Sequence, residues 1–116
     1  MSSFLSEFRV LNVKRCTTSF RHSLNGWSKM EWGCAAAGEM GELCNVLKKI
    51  AREEQDIGVK DVGRIDGDKQ KAVADEAADV VIYLDLLLAR CGLSLEEAIR
   101  SKFNETSRKV GFGETL

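Results

Sequence analysis

Glu39 and Glu42 stand three residues apart, and Glu76 and Asp79 repeat that spacing further along the chain. Residues three apart on a helix are offset by about 60°, so each pair presents two carboxylates on one face, one turn above the other. If the two helices pack together, four acids converge. Buried anions must be paired, protonated or bound to a cation. Magnesium suits such a site, because it takes carboxylate oxygens, keeps several waters and meets phosphates on its open side. Iron is disfavoured, since a di-iron bundle calls for Glu-x-x-His motifs and the single histidine, His22, lies outside both segments. A pair of acids three apart is also commonplace on a solvated helix face. Spacing alone leaves a metal site and a solvated face both open.

Gly38 and Gly41 flank the first pair, and glycine costs a helix interior about 1 kcal/mol relative to alanine. They imply a close approach, either of a neighbouring helix or of an ion or phosphate chain. Projected at about 100° per residue, Ala35, Glu39, Glu42, Val46 and Lys49 fall on one stripe with Asn45 beside it, which puts Lys49 within reach of a phosphate near the acids. A snorkelling surface lysine is the plainer account of Lys49. Trp27 and Trp32 precede the first acid pair; Trp32 reads as core, and His22 could touch a base or phosphate but as a lone loop histidine reads as a surface residue.

The elements that must position these residues are helical. The chain has no proline and little strand-like alternation, so an all-α, four- to five-helix bundle is expected, a single domain over 1–116. Leu5, Phe8, Leu11 and Val10 form an apolar stripe for a first helix from Ser3 to Arg15. Thr17 to Gly26 reads as a connection holding at most a short helical turn. Ser28 and Glu31 fit a capping box that opens a second helix, Lys29 to Glu53. Arg52 to Lys71 is rich in charge and glycine, a solvated loop composition. A third helix begins near Asp68 and is apolar nearly all round from Ala72 to Ala89, the pattern of a segment buried on several sides. Ser94 and Glu97 open a fourth, Leu95 to Lys109, through a second capping box.

Composition narrows the function further. Seventeen Lys and Arg against eighteen Asp and Glu remove the basic footprint of a nucleic-acid binder. The four cysteines form no C-x-x-C pair, so they are expected to be reduced thiols in a cytoplasmic protein. Met1 to Arg9 carries charge and no long apolar run, which argues against a signal or membrane anchor. Asp66-Gly67-Asp68 is no EF-hand, because the twelfth position is Ala77 where a glutamate is required. No Walker loop is present, so any triphosphate must be held by metal and side chains.

Gly38 to Lys49 and Asp75 to Leu84 together resemble the MazG-like nucleoside triphosphate pyrophosphohydrolases, and Ala98 to Arg108 is similar to that family's closing lysine–asparagine–arginine segment. The likeness spans about Trp27 to Gly111. It implies an all-α homodimer or homotetramer that cleaves a nucleoside triphosphate to monophosphate and pyrophosphate with magnesium, for which manganese can substitute. Carried across, Glu39, Glu42, Glu76 and Asp79 would hold the metal, with Glu39 or Glu42 as the catalytic proton acceptor. Lys49, Lys102 and Arg108 would contact phosphate, Asn45 and Asn104 would bond sugar or phosphate, and Trp27 would face the base. The alternatives are a phosphoribosyl-ATP pyrophosphatase and a non-catalytic helical oligomerisation module.

Overall fold

The computed structural model describes residues 3–58, 65 and 67–116. Among them are four helices, α1 (Phe4–Thr17), α2 (Lys29–Asp56), α3 (Asp68–Arg90) and α4 (Leu95–Val110), with no strand. The only fifth element among them is a 3₁₀ turn, Leu24–Gly26, in the α1–α2 connection. The charged stretch after Arg52 is shorter as a loop than its composition implies, since α2 continues to Asp56 and α3 already starts at Asp68. The rest of that stretch, 59–64 and 66, lies outside the described residues.

Local signals account for the helix ends. Ser28 Oγ accepts from Glu31 N at 3.1 Å, and Glu31 Oε1 accepts from Ser28 N at 3.3 Å, completing the expected box. At α4 only half of the box forms. Ser94 Oγ accepts from Glu97 N at 3.2 Å, while the Glu97 carboxylate lies 3.8 Å from Arg100 Nε. Gly111, with φ of 75°, ends α4 in the left-handed conformation and lets Phe112 N bond Ser107 O at 2.9 Å.

α2 and α3 form an antiparallel pair. Lys69 Nζ meets Glu53 Oε2 at 2.9 Å at one end, and Arg90 Nε donates to Trp27 O at 3.0 Å at the other. α1 lies across the second half of α3. Here the expected apolar stripe holds only in part: Leu5 and Phe8 are half-buried, while Val10 and Leu11 are 67% and 63% exposed. The face that packs runs instead through Arg9, Asn12, Val13 and Cys16. Polar atoms hold it, because Asp85 on α3 is fully buried and takes Arg9 Nε at 2.7 Å and Asn12 Nδ2 at 3.0 Å. Cys16, Trp32 and Leu86 form the core beside this contact, with Val13, Leu24, Trp27, Tyr83 and Leu87 around them.

Within one chain α3 is not buried on several sides, because only Asp85 and Leu86 are fully covered and Val81 and Leu84 face outward. Nor do Gly38 and Gly41 mark a close approach of another helix within the chain: among the described residues a Cβ at either would meet nothing within 4 Å. The accessible surface is 8590 Å², against about 6,300 Å² for a compact monomer of this mass. The radius of gyration, 17.5 Å, likewise exceeds the roughly 13 Å of a compact chain of this length.

The buried pair should dominate single-site stability. Arg9→Met leaves Asp85 charged and without its cation, and should lower unfolding free energy by about 3 kcal/mol in urea titrations. Lys71→Met breaks an exposed pair, Lys71–Asp75, and should cost under about 0.5 kcal/mol.

Candidate functional site

The packing of α2 on α3 brings the two acid pairs face to face. One carboxylate oxygen each from Glu39, Glu42 and Glu76 lies within 4.8 Å of the other two. Asp79, one turn beyond Glu76, acts on the same group, since its charge helps raise the pKa of both Glu39 and Glu76. For Glu39 the largest cause is desolvation, followed by the charges of Glu42, Asp79 and Glu76. For Glu76 it is again desolvation, then Glu42 and Asp79, with the Glu42 carboxylate near enough to share a proton. Ionised carboxylates only accept hydrogen bonds, so with all four ionised no member of the cluster satisfies another's lone pairs. Glu76 Oε2 is buried with no hydrogen-bond partner. An all-oxygen, anionic donor set with an orphaned buried oxygen fits a hard divalent cation, with Glu39, Glu42 and Glu76 as ligands and Asp79 beside them.

Next to the acids is a cavity of about 420 Å³. Glu39 and Asp79 form part of its wall, and Trp27, Trp32, His22, Tyr83 and Phe20 supply half of the rest. The rings are set edge to face: His22 lies 4.6 Å from Trp27 and 5.3 Å from Trp32, and the two tryptophans are 4.7 Å apart. Trp32 is core, as its place in the helix implies, but it also faces the cavity. Its Nε1 donates to Leu24 O at 2.8 Å, which ties the 3₁₀ turn down.

His22 is not the surface residue that its loop position implies. Arg21 adopts φ of 53°, the left-handed region that costs a non-glycine residue about 1 kcal/mol or more, and reverses the chain. His22 N then bonds Cys16 O at 2.9 Å, and Cys16 Sγ donates to His22 O at 3.1 Å. Burial pushes the Cys16 thiol above its ordinary pKa, partly opposed by Arg15, so this cysteine serves packing rather than nucleophilic chemistry. Tyr83 is also raised, first by burial and then by the charges of Glu39 and Asp79, and its phenol stays protonated as a donor beside the acids. The four cysteines are free thiols.

The sequence-derived phosphate and sugar contacts are placed less uniformly. Trp27 lines the cavity. Lys49 and Asn45 are exposed on α2, and Lys49 sits about 10 Å along the axis from Glu42. Lys102, Asn104 and Arg108 are on α4, and α4 does not pack against α2 among the described residues, so a single chain does not gather them at the acids. Asn104 is bonded to the tail, donating to Leu116 O at 3.2 Å and accepting from Leu116 N at 2.9 Å. Sequence reading passed over Asn12, Arg15 and Cys16, which line the cavity from α1. Their one signal was a polar-to-small series at helical spacing, on a face that apolar counting ignores.

No helix among the described residues is long and apolar enough to cross a membrane. Comparison of the chain with protein-family profiles, curated proteins and solved structures returns no match.

The raised carboxyls set the sign of a pH effect. Glu39 and Glu76 bind protons more tightly folded than unfolded, so their contribution is present below the ordinary carboxylate pKa and lost as pH rises through their raised values. In chelating buffer, thermal stability should therefore decline from about pH 4 upward, and Glu76→Gln should flatten that slope. A slope unchanged by the substitution would mean that the acids stand apart in solution.

Proposed function

We propose that the chain is a magnesium-dependent nucleoside triphosphate pyrophosphohydrolase of the MazG-like kind, hydrolysing a ribo- or deoxynucleoside triphosphate to the monophosphate and pyrophosphate and so clearing surplus or unusual nucleotides. The observation that carries this reading is adjacency. A cluster of carboxylates suited to a hard cation borders a cavity walled by aromatic rings and large enough for a nucleobase. Stacking on such rings tolerates any base, while the acids select the polyphosphate end through the cation.

In this reading Glu39, Glu42, Glu76 and Asp79 hold magnesium or manganese. When bound, the metal offsets the charge of triphosphate oxygens and lowers the pKa of the attacking water. The chain's own groups do the rest. Glu39, whose carboxyl is already raised by desolvation and then by its acidic neighbours, or Glu42 accepts the proton of the water as the bond between the α and β phosphates breaks. Tyr83 donates towards the anionic centre, and Arg15 supplies a positive charge on the wall of the same cavity. The rings of Trp27 and Trp32 hold the base and keep water from that end.

A homo-oligomer is part of the proposal. The surface in excess of a compact monomer is about 2,000 Å² per chain, the scale an obligate interface buries. α4 offers an uncovered apolar groove along Ile99, Phe103, Val110 and Phe112, with Lys102 on its rim. A second copy is then the route by which Lys102 and Arg108 reach a phosphate.

A panel of nucleoside triphosphates with magnesium, read by separating pyrophosphate from orthophosphate, tests the reaction. Native protein should release pyrophosphate, and Asp79→Asn should lose at least about 100-fold of that activity while keeping its helicity. Orthophosphate release, or no turnover by a folded protein, would overturn the reading. Sedimentation should give a particle of at least twice 12.9 kDa, and a monomer at micromolar concentration would overturn the oligomer.

A further inference from the structure

Asn12 is 4% exposed, yet it lies on the wall of the aromatic cavity. Its Nδ2 donates to Ile82 O at 3.0 Å and to Asp85 Oδ2 at 3.0 Å. A peptide carbonyl only accepts, and Asp85 is held as a carboxylate acceptor by Arg9 Nε at 2.7 Å. Turning the amide over would set Oδ1 against two acceptors, so the network dictates its orientation. Both amide hydrogens are used, which leaves Oδ1 as the polar atom that the amide has to offer a ligand. The open side of the residue is the cavity. The aromatic pocket therefore has one fixed acceptor in its wall, and a ligand must bring an N–H to it.

His22 adds a second. Its Nδ1 lies 2.8 Å from Ser23 O, an acceptor, so in the neutral ring the proton sits on Nδ1 and Nε2 carries a free lone pair. An exocyclic amino group offers two N–H donors at a corner of the base. The carbonyl that replaces it in uracil or hypoxanthine turns an oxygen toward the same acceptors. An imino N–H is a poorer answer, because in uracil it is flanked on both sides by carbonyl oxygens.

Resting on the nucleotide reading above, we propose that Asn12 is the base-reading residue, selecting an amino-bearing base, cytosine or adenine, over its carbonyl counterpart, with Asp85 as the positioning residue that locks the amide. The discrimination comes from the oxygen that Asn12 presents and the stacking from the rings, so ring size is left to the cavity and the amino group to Asn12.

Matched pairs test this on the native protein: dCTP against dUTP and dATP against dITP for kcat/KM, and the four monophosphates for quenching of tryptophan fluorescence. In whichever pair is accepted, the amino member should be favoured at least about tenfold in both readouts. Asp85→Asn, checked for folding by circular dichroism, removes one of the two acceptors that hold the Asn12 amide and should lower the ratio. A native ratio near one, or inverted, would overturn the role of Asn12 and leave the hydrolase reading standing. Preferential binding of amino monophosphates without turnover would uphold Asn12 and sink the hydrolase. Failure to bind or hydrolyse any of these nucleotides would sink both.

Discussion

Asp85 is a carboxylate with no exposed surface, and the rest of the molecule is arranged around keeping it satisfied. Arg9 and Asn12, both on α1, are its partners, so α1 can lie only where those two residues reach α3. That placement closes the cavity on its α1 side and brings Cys16 against Trp32 and Leu86. A well-packed apolar pair could replace such a network at similar or better stability. What the ionic version adds is a single register of α1 on α3 and a side-chain amide that cannot turn over.

The α2–α3 contact carries the opposite kind of electrostatics. Like charges from Glu39, Glu42, Glu76 and Asp79 are held together by apolar helix packing, and the raised carboxyls of Glu39 and Glu76 record the cost. Desolvation is the larger cause in both, followed by the charges of the neighbouring acids. A bound cation or proton would relieve the repulsion without any movement of the helices. The two networks meet the same cavity, through Asn12 and through Glu39 and Asp79: one is internally neutralised, and the other is a set of like charges.

α4 stands apart from both. It is clearly amphipathic, yet Ser107 is its only buried residue among those described. Ser6 and Glu96, joined at 3.1 Å, tie its start to α1, and the Leu116 backbone folds back on Asn104. Its uncovered apolar face is part of the large accessible surface, and it is the face that the proposed second copy would cover.

Much of this was legible in local sequence. The absence of proline, the serine caps at 28 and 94, the glycine stops and the two Glu-x-x-acid pairs are short-range features, and short-range physics sets helix ends and the face each acid occupies. The course of α1 was not, because its apolar residues Val10 and Leu11 face outward while Asn12 and Cys16 are buried. Hydrophobic patterning cannot see a polar residue that is buried because its partner lies more than seventy positions away, as Asp85 does from Asn12. The sequence by itself determined the four helices and the pairing of acids on two of them. Only the tertiary structure decided that His22 and Asn12 line one cavity and that α4 lies away from the acids, because those outcomes depend on which helix faces meet.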